Sequence, residues 1–163
     1  ARDRAGRGAR HATVCLVGAA LCELLIAGVC LVLKVRGTVE LRLAEEVDFG
    51  LEYELDDLLV LAEAYATLAV FPLLLAALVR LRGATVAVRA VAVVGLVPHT
   101  AVTAYSYFLP WGEFTETRYT TWYEEVIPWP ACAAGLLCLA GTVLLFTTGD
   151  TGRGGHPVAG DRG

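Results

Sequence analysis

The sequence has no methionine, asparagine or glutamine, one lysine (Lys34) and one serine (Ser106). Only 18% of its 163 residues are charged, against about 25% in an ordinary soluble domain. Hydrophobic residues make up 56%, a balance that excludes a disordered or fibrous chain. Ser106 has no Gly-x-Ser-x-Gly turn around it, so no nucleophile elbow is present. Of the three histidines only His99 lies inside an apolar block, and bis-histidine haem ligation within one chain would need a second. No His-Glu-x-x-His helix occurs, which leaves zinc-protease chemistry without support. Cys15, Cys22, Cys30, Cys132 and Cys138 all lie within apolar blocks and form no Cys-x-x-Cys pair, arguing against a thiol oxidoreductase. The glycines of residues 149–155 come without the lysine of a phosphate-binding loop. Basic excess is lacking too: a net charge of −4 and a pI near 5.3 argue against nucleic acid as a partner. No metal or cofactor is expected, and no catalytic residue.

What is present is apolar sequence in four long blocks, with a mean hydropathy of +0.61. A membrane-spanning helix needs about 20 mostly apolar residues. Residues 13–33, 58–79, 90–109 and 129–148 each meet that length. Four such blocks leave too little polar sequence to wrap them in a soluble core. The expected fold is therefore an all-α integral membrane bundle of four helices, forming one domain over residues 13–148. Residues 1–12 and 149–163 read as disordered tails. The first block follows four arginines, as a signal peptide would. Its apolar run exceeds the usual ~7–15 residues, so it is read as a retained helix.

Orientation follows from the basic residues in the short flanks. Arg2, Arg4, Arg7 and Arg10 precede the first block, and Arg80, Arg82 and Arg89 lie between the second and third. The other two connections carry only Lys34, Arg36, Arg42 and Arg118. Both termini are expected in the cytoplasm, with the protein in the cell membrane and residues 34–57 and 110–128 outside it.

The first outer connection is acidic and alternates. Val47, Phe49, Leu51, Tyr53 and Leu55 fall on one face, with Asp48, Glu52 and Glu54 on the other. That is the period of a half-buried strand. Val39, Leu41 and Leu43 supply a partner strand, so a small β-hairpin is expected here. The competing reading extends the second helix outward, because Val47, Leu51, Leu55 and Leu58 also make a helical stripe. The acids match no calcium-loop pattern and read as a solvated face. The second outer connection gathers Trp111, Phe114, Tyr119, Trp122 and Tyr123, an interfacial aromatic belt by default. The exposed surface for another membrane protein or a second copy of this chain is expected to include Phe49, Glu52, Tyr53, Glu54, Trp111, Trp122 and Tyr123. Span, outer loop expected to form strands, two spans, outer loop and span is an order similar in outline to the claudin-type tetraspans. Those carry a Trp and Cys signature in the first outer loop that this chain lacks, so the likeness is one of topology.

Three ionisable residues fall inside the blocks. Glu23 and His99 each sit about ten residues from both ends of their block, near the bilayer midplane at roughly 1.5 Å per residue. Equal depth allows a Glu23–His99 hydrogen bond. A charge at that depth costs about 3 kcal/mol or more, so such groups face the bundle interior and are paired or neutralised. Glu63 lies nearer the outer boundary. The three read either as a polar clasp between the first and third helices or as a proton or cation relay, with Tyr65, Thr67, Thr100 and Thr103 at helical spacing. The expected function is that of a non-enzymatic accessory or interaction protein, in contact with the lipid bilayer. The alternative is a small proton- or cation-coupled transporter or channel subunit.

Overall fold

A computed structural model describes residues 2–43, 49–108 and 127–147. They form four helices: α1 (Arg2–Leu43), α2 (Phe49–Arg82), α3 (Val86–Phe108) and α4 (Pro128–Thr147). Local chemistry sets several of their ends. Gly83 stops α2 with a left-handed φ of 67°, and its N–H donates to the Val79 carbonyl at 2.9 Å. A glycine takes that conformation without the penalty a Cβ would bring. Thr85 then caps α3, its hydroxyl accepting from the Val88 N–H at 3.4 Å. Pro128 opens α4 at the first helical position, where its missing N–H costs nothing.

The described residues of all four apolar blocks are helical. Gly6–Leu43, Leu55–Arg82 and Pro128–Thr147 are each long and apolar enough to cross a membrane. The third block lies in α3, whose apolar stretch Val86–Leu96 is shorter than a span among the described residues. The outward faces of the helices expose Val14, Leu21, Leu25, Leu74, Val94 and Leu136. An apolar perimeter of this extent suits hydrocarbon and not water.

The hairpin expected in the first outer connection is not there. Val39, Leu41 and Leu43 belong to α1, and residues 49–55 form the start of α2. No strand occurs among the described residues. Leucine, glutamate and arginine are good helix formers. The turn at Ala44-Glu45-Glu46 has no glycine or asparagine to set a tight hairpin. Two ion pairs support the helical form, Arg36 to Glu40 within α1 at 3.0 Å and Lys34 to Asp56 between α1 and α2 at 3.2 Å. Of the competing stripe, Leu55 and Leu58 are buried against α1, while Val47 and the Leu51 side chain lie outside the described residues. At the other end α1 starts at Arg2, so most of the segment read as an N-terminal tail is helix.

Packing follows a heptad rhythm. Buried positions on α1 run Ala12, Leu16, Ala19, Glu23, Ile26 and Cys30, spaced alternately by four and three. On α2 they run Leu55, Leu58, Ala62, Tyr65, Ala69, Pro72, Ala76 and Val79, and on α4 Ala131, Ala134, Cys138, Gly141 and Leu145. This is the seam of a left-handed helix bundle. The helices touch in ring order, α1 on α2, α2 on α3, α3 on α4 and α4 on α1, so α1 and α3 face each other across the diagonal. Helices in lipid gain little from hydrophobic burial and associate by close packing, which small residues permit. At Gly141 an added Cβ would meet Leu16 Cγ at 3.0 Å and the Ala12 carbonyl oxygen at 3.2 Å.

Two apolar clusters result. One joins Ala12, Leu16, Ala19, Leu75, Val79, Val88, Ala92, Cys138 and Leu145 at the arginine-rich end. The other joins Ile26, Cys30, Leu55, Leu58, Ala62, Tyr65 and Ala131 at the opposite end. Glu23 stands between them on α1.

Candidate functional site

The layer between the clusters is built from three helices. The α1 seam places Glu23 inward at the position between Ala19 and Ile26. His99 continues the α3 seam from Val88 and Ala92. The two side chains are 1% and 2% exposed, and His99 Nε2 is hydrogen-bonded to Glu23 Oε1. The bond crosses the bundle along its diagonal, between two helices that do not pack side by side. Phe71 of α2 completes the layer, its ring centroid 6.1 Å from that of His99 at an interplanar angle of 45°. Gly95, one turn before His99, leaves the room the Phe71 ring occupies.

A carboxyl and an imidazole in this contact can share a proton, and each satisfies a polar atom that burial would otherwise strand. Glu23 Oε2 is buried and has no hydrogen-bond partner among the described residues. Other buried polar groups, nearer the arginine-rich end, close on their own helices. The Thr13 hydroxyl donates to the Ala9 carbonyl and the Thr142 hydroxyl to the Cys138 carbonyl, both at 2.9 Å. Such back-bonding is how threonine hides its hydroxyl in apolar surroundings.

Glu63 does not join the pair. It is exposed on the outer side of α2, while Ala62 and Tyr65 take the inward positions. Thr67 is likewise exposed and donates to the Glu63 carbonyl at 2.8 Å. A relay running through Glu63 is therefore not assembled in this arrangement. The side chains of Phe49, Glu52, Tyr53, Glu54, Thr100 and Thr103 lie outside the described residues, as do Trp111, Trp122 and Tyr123. Phe71 is the layer member that the sequence reading missed. Its signal was a glycine and a histidine four apart on α3, with space and a ring to fill.

All five cysteines are free thiols, Cys30 and Cys138 buried and Cys132 exposed. Among the described residues no group of three His, Cys, Asp or Glu side chains is placed to hold a metal ion. At the arginine-rich end the Arg89 guanidinium lies 5.7 Å from the centre of the Phe146 ring, tying the start of α3 to the end of α4. The chain matches no family model, no curated protein and no solved structure.

Proposed function

We propose that the chain is a non-enzymatic accessory or interaction protein of the cell membrane, crossing it four times with both termini in the cytoplasm. One observation carries this reading. The buried polar pair occupies heptad seam positions and is closed by an apolar cluster at each end. A polar residue in a seam fixes register, because any slip would strand it among apolar side chains. Glu23 and His99 thus serve to hold the bundle in one arrangement. The work is left to the outward surfaces, above all the end of the α1–α2 pair beyond Lys34 and Asp56. Arg7, Arg10, Arg80, Arg82 and Arg89 at the opposite end support the cytoplasmic assignment of the termini.

A second reading rests on Glu23 Oε2, a carboxylate oxygen buried without a partner among the described residues. That atom is where a proton or cation would engage in a transporter or channel subunit. Proton flux into vesicles holding the purified protein, with Glu23→Gln and His99→Ala in parallel, separates the two. The accessory role predicts no flux above that of empty vesicles from any of the three. Flux in the native chain that both substitutions abolish would replace it with transport.

A further inference from the structure

A groove of about 400 Å³ opens between the first part of α1 and the last part of α2, lined by Ala9, Arg10, Thr13, Val14, Val79 and Arg80. Its depth is fixed by the layer already described. Arg10 lies thirteen residues before Glu23 on α1, about 20 Å along the axis. Arg80 lies nine residues beyond Phe71 on α2, about 14 Å in the same direction. A hydrocarbon core of about 30 Å centred on the Glu23–His99 layer ends about 15 Å from it, and lipid phosphates begin there. Both guanidinium groups therefore stand at the level of the headgroups.

The lining is two-faced. Arg10 and Arg80 are exposed and enter no ion pair among the described residues. The Thr13 hydroxyl has committed its proton to the Ala9 carbonyl, so the two arginines are the groove's strong side-chain donors. Val14 and Val79 are apolar and lie on the bilayer side of Arg10 and Arg80 along their helices, and Ala9 adjoins Arg10 at the outer edge. Two cationic forks beside an apolar wall suit an amphiphile better than a soluble anion, which would leave the wall unused. Arginine binds phosphate oxygens in a bidentate fashion. Basic pockets between membrane helices are a recurrent setting for acidic headgroups.

We propose that this groove binds the headgroup of an anionic phospholipid, the phosphate between Arg10 and Arg80 and the glycerol end against Val14 and Val79. The proposal rests on the reading of the chain as a membrane protein. Lipid bound here would link α1 to α2 at the arginine-rich end, where the Lys34–Asp56 ion pair does so at the other.

The test uses the full chain reconstituted first in neutral phosphatidylcholine vesicles. Failure to float with them would fail the membrane reading itself. Protein extracted in mild detergent is then offered phosphatidylglycerol or phosphatidylcholine, and retained lipid is counted by native mass spectrometry. Preferential retention of phosphatidylglycerol is expected. It should fall on the order of tenfold in the Arg10→Gln/Arg80→Gln double variant. Arg10→Lys/Arg80→Lys should keep part of it, and Arg42→Gln at the far end of α1 should keep all of it. Equal retention of the two lipids, or full retention by the double glutamine variant, would overturn the proposal. So would displacement of the lipid by millimolar inorganic phosphate, which would assign the groove to a soluble anion.

Discussion

Phe71 of α2 fills the volume that any side chain at position 95 of α3 would need. A Cβ on Gly95 would fall 1.8 Å from the Cε2 and 2.1 Å from the Cζ of that ring. The same ring packs against His99 one turn further on. Space at Gly95, the ring and the imidazole therefore form one unit, and a change at either end is felt at the other.

Gly95→Ala should push the ring off His99 and destabilise the bundle by about 1–3 kcal/mol, the usual cost of overpacking. Phe71→Ala should relieve the clash, so that the double variant is less unstable than the sum of the two singles. Unfolding of the four proteins in mixed detergent, followed by far-UV circular dichroism, gives the coupling directly. Strict additivity would mean that the ring does not occupy that space.

The Glu23–His99 bond makes a second cycle. His99→Leu should leave the Glu23 carboxyl buried with neither oxygen bonded among the described residues, at a cost of about 1–3 kcal/mol. Glu23→Leu/His99→Leu replaces both polar groups by apolar ones and should recover most of that loss. Its cost should appear instead as lost uniqueness, read as broadened side-chain methyl signals in NMR, because nothing polar would then pin the register.

How much of this was legible beforehand depends on what marked each face. The four blocks and the shared depth of Glu23 and His99 could be read by counting, because block length and central position are properties of the chain alone. Rotation about each helix axis was harder. Ala62, Ala66 and Ala69 are small residues at helical spacing on α2, yet Ala66 is exposed and Tyr65 takes the inward place. On α4 Gly135 is half-buried, while Ala131, Ala134, Cys138, Gly141 and Thr142 are buried. In a helix apolar on every side, no charge reveals which side meets lipid. Glu63, nearer its block's outer boundary than Glu23 and His99 are to theirs, is exposed on α2. The expected hairpin failed because residues 47–58 satisfy a period of two and a helical stripe together. Tertiary packing of Leu55 and Leu58 on α1 decided between them.

The glycines offer a third test, and a graded one. Gly141→Val should separate α1 from α4, because the Ala12 carbonyl oxygen at 3.2 Å is backbone and cannot swing away. A loss of about 1–3 kcal/mol is expected. Gly28→Ala meets nothing within 4 Å and should be neutral or stabilising, by up to about 1 kcal/mol from helix propensity. Thermal melts in one detergent rank the two, and a reversed order would contradict the close approach of α1 and α4.

The 42 residues of α1 form one unbroken helix of about 63 Å, twice the thickness of a hydrocarbon core. It contains no proline, and helices without such a break bend gently over their length instead of hinging. Its two ends therefore move as the ends of one rod. A twist imposed where Arg36 and Glu40 stand must be delivered at Arg10, near the other end of the helix. The histidine bond at the middle of α1 is then the pivot about which such a twist would have to turn.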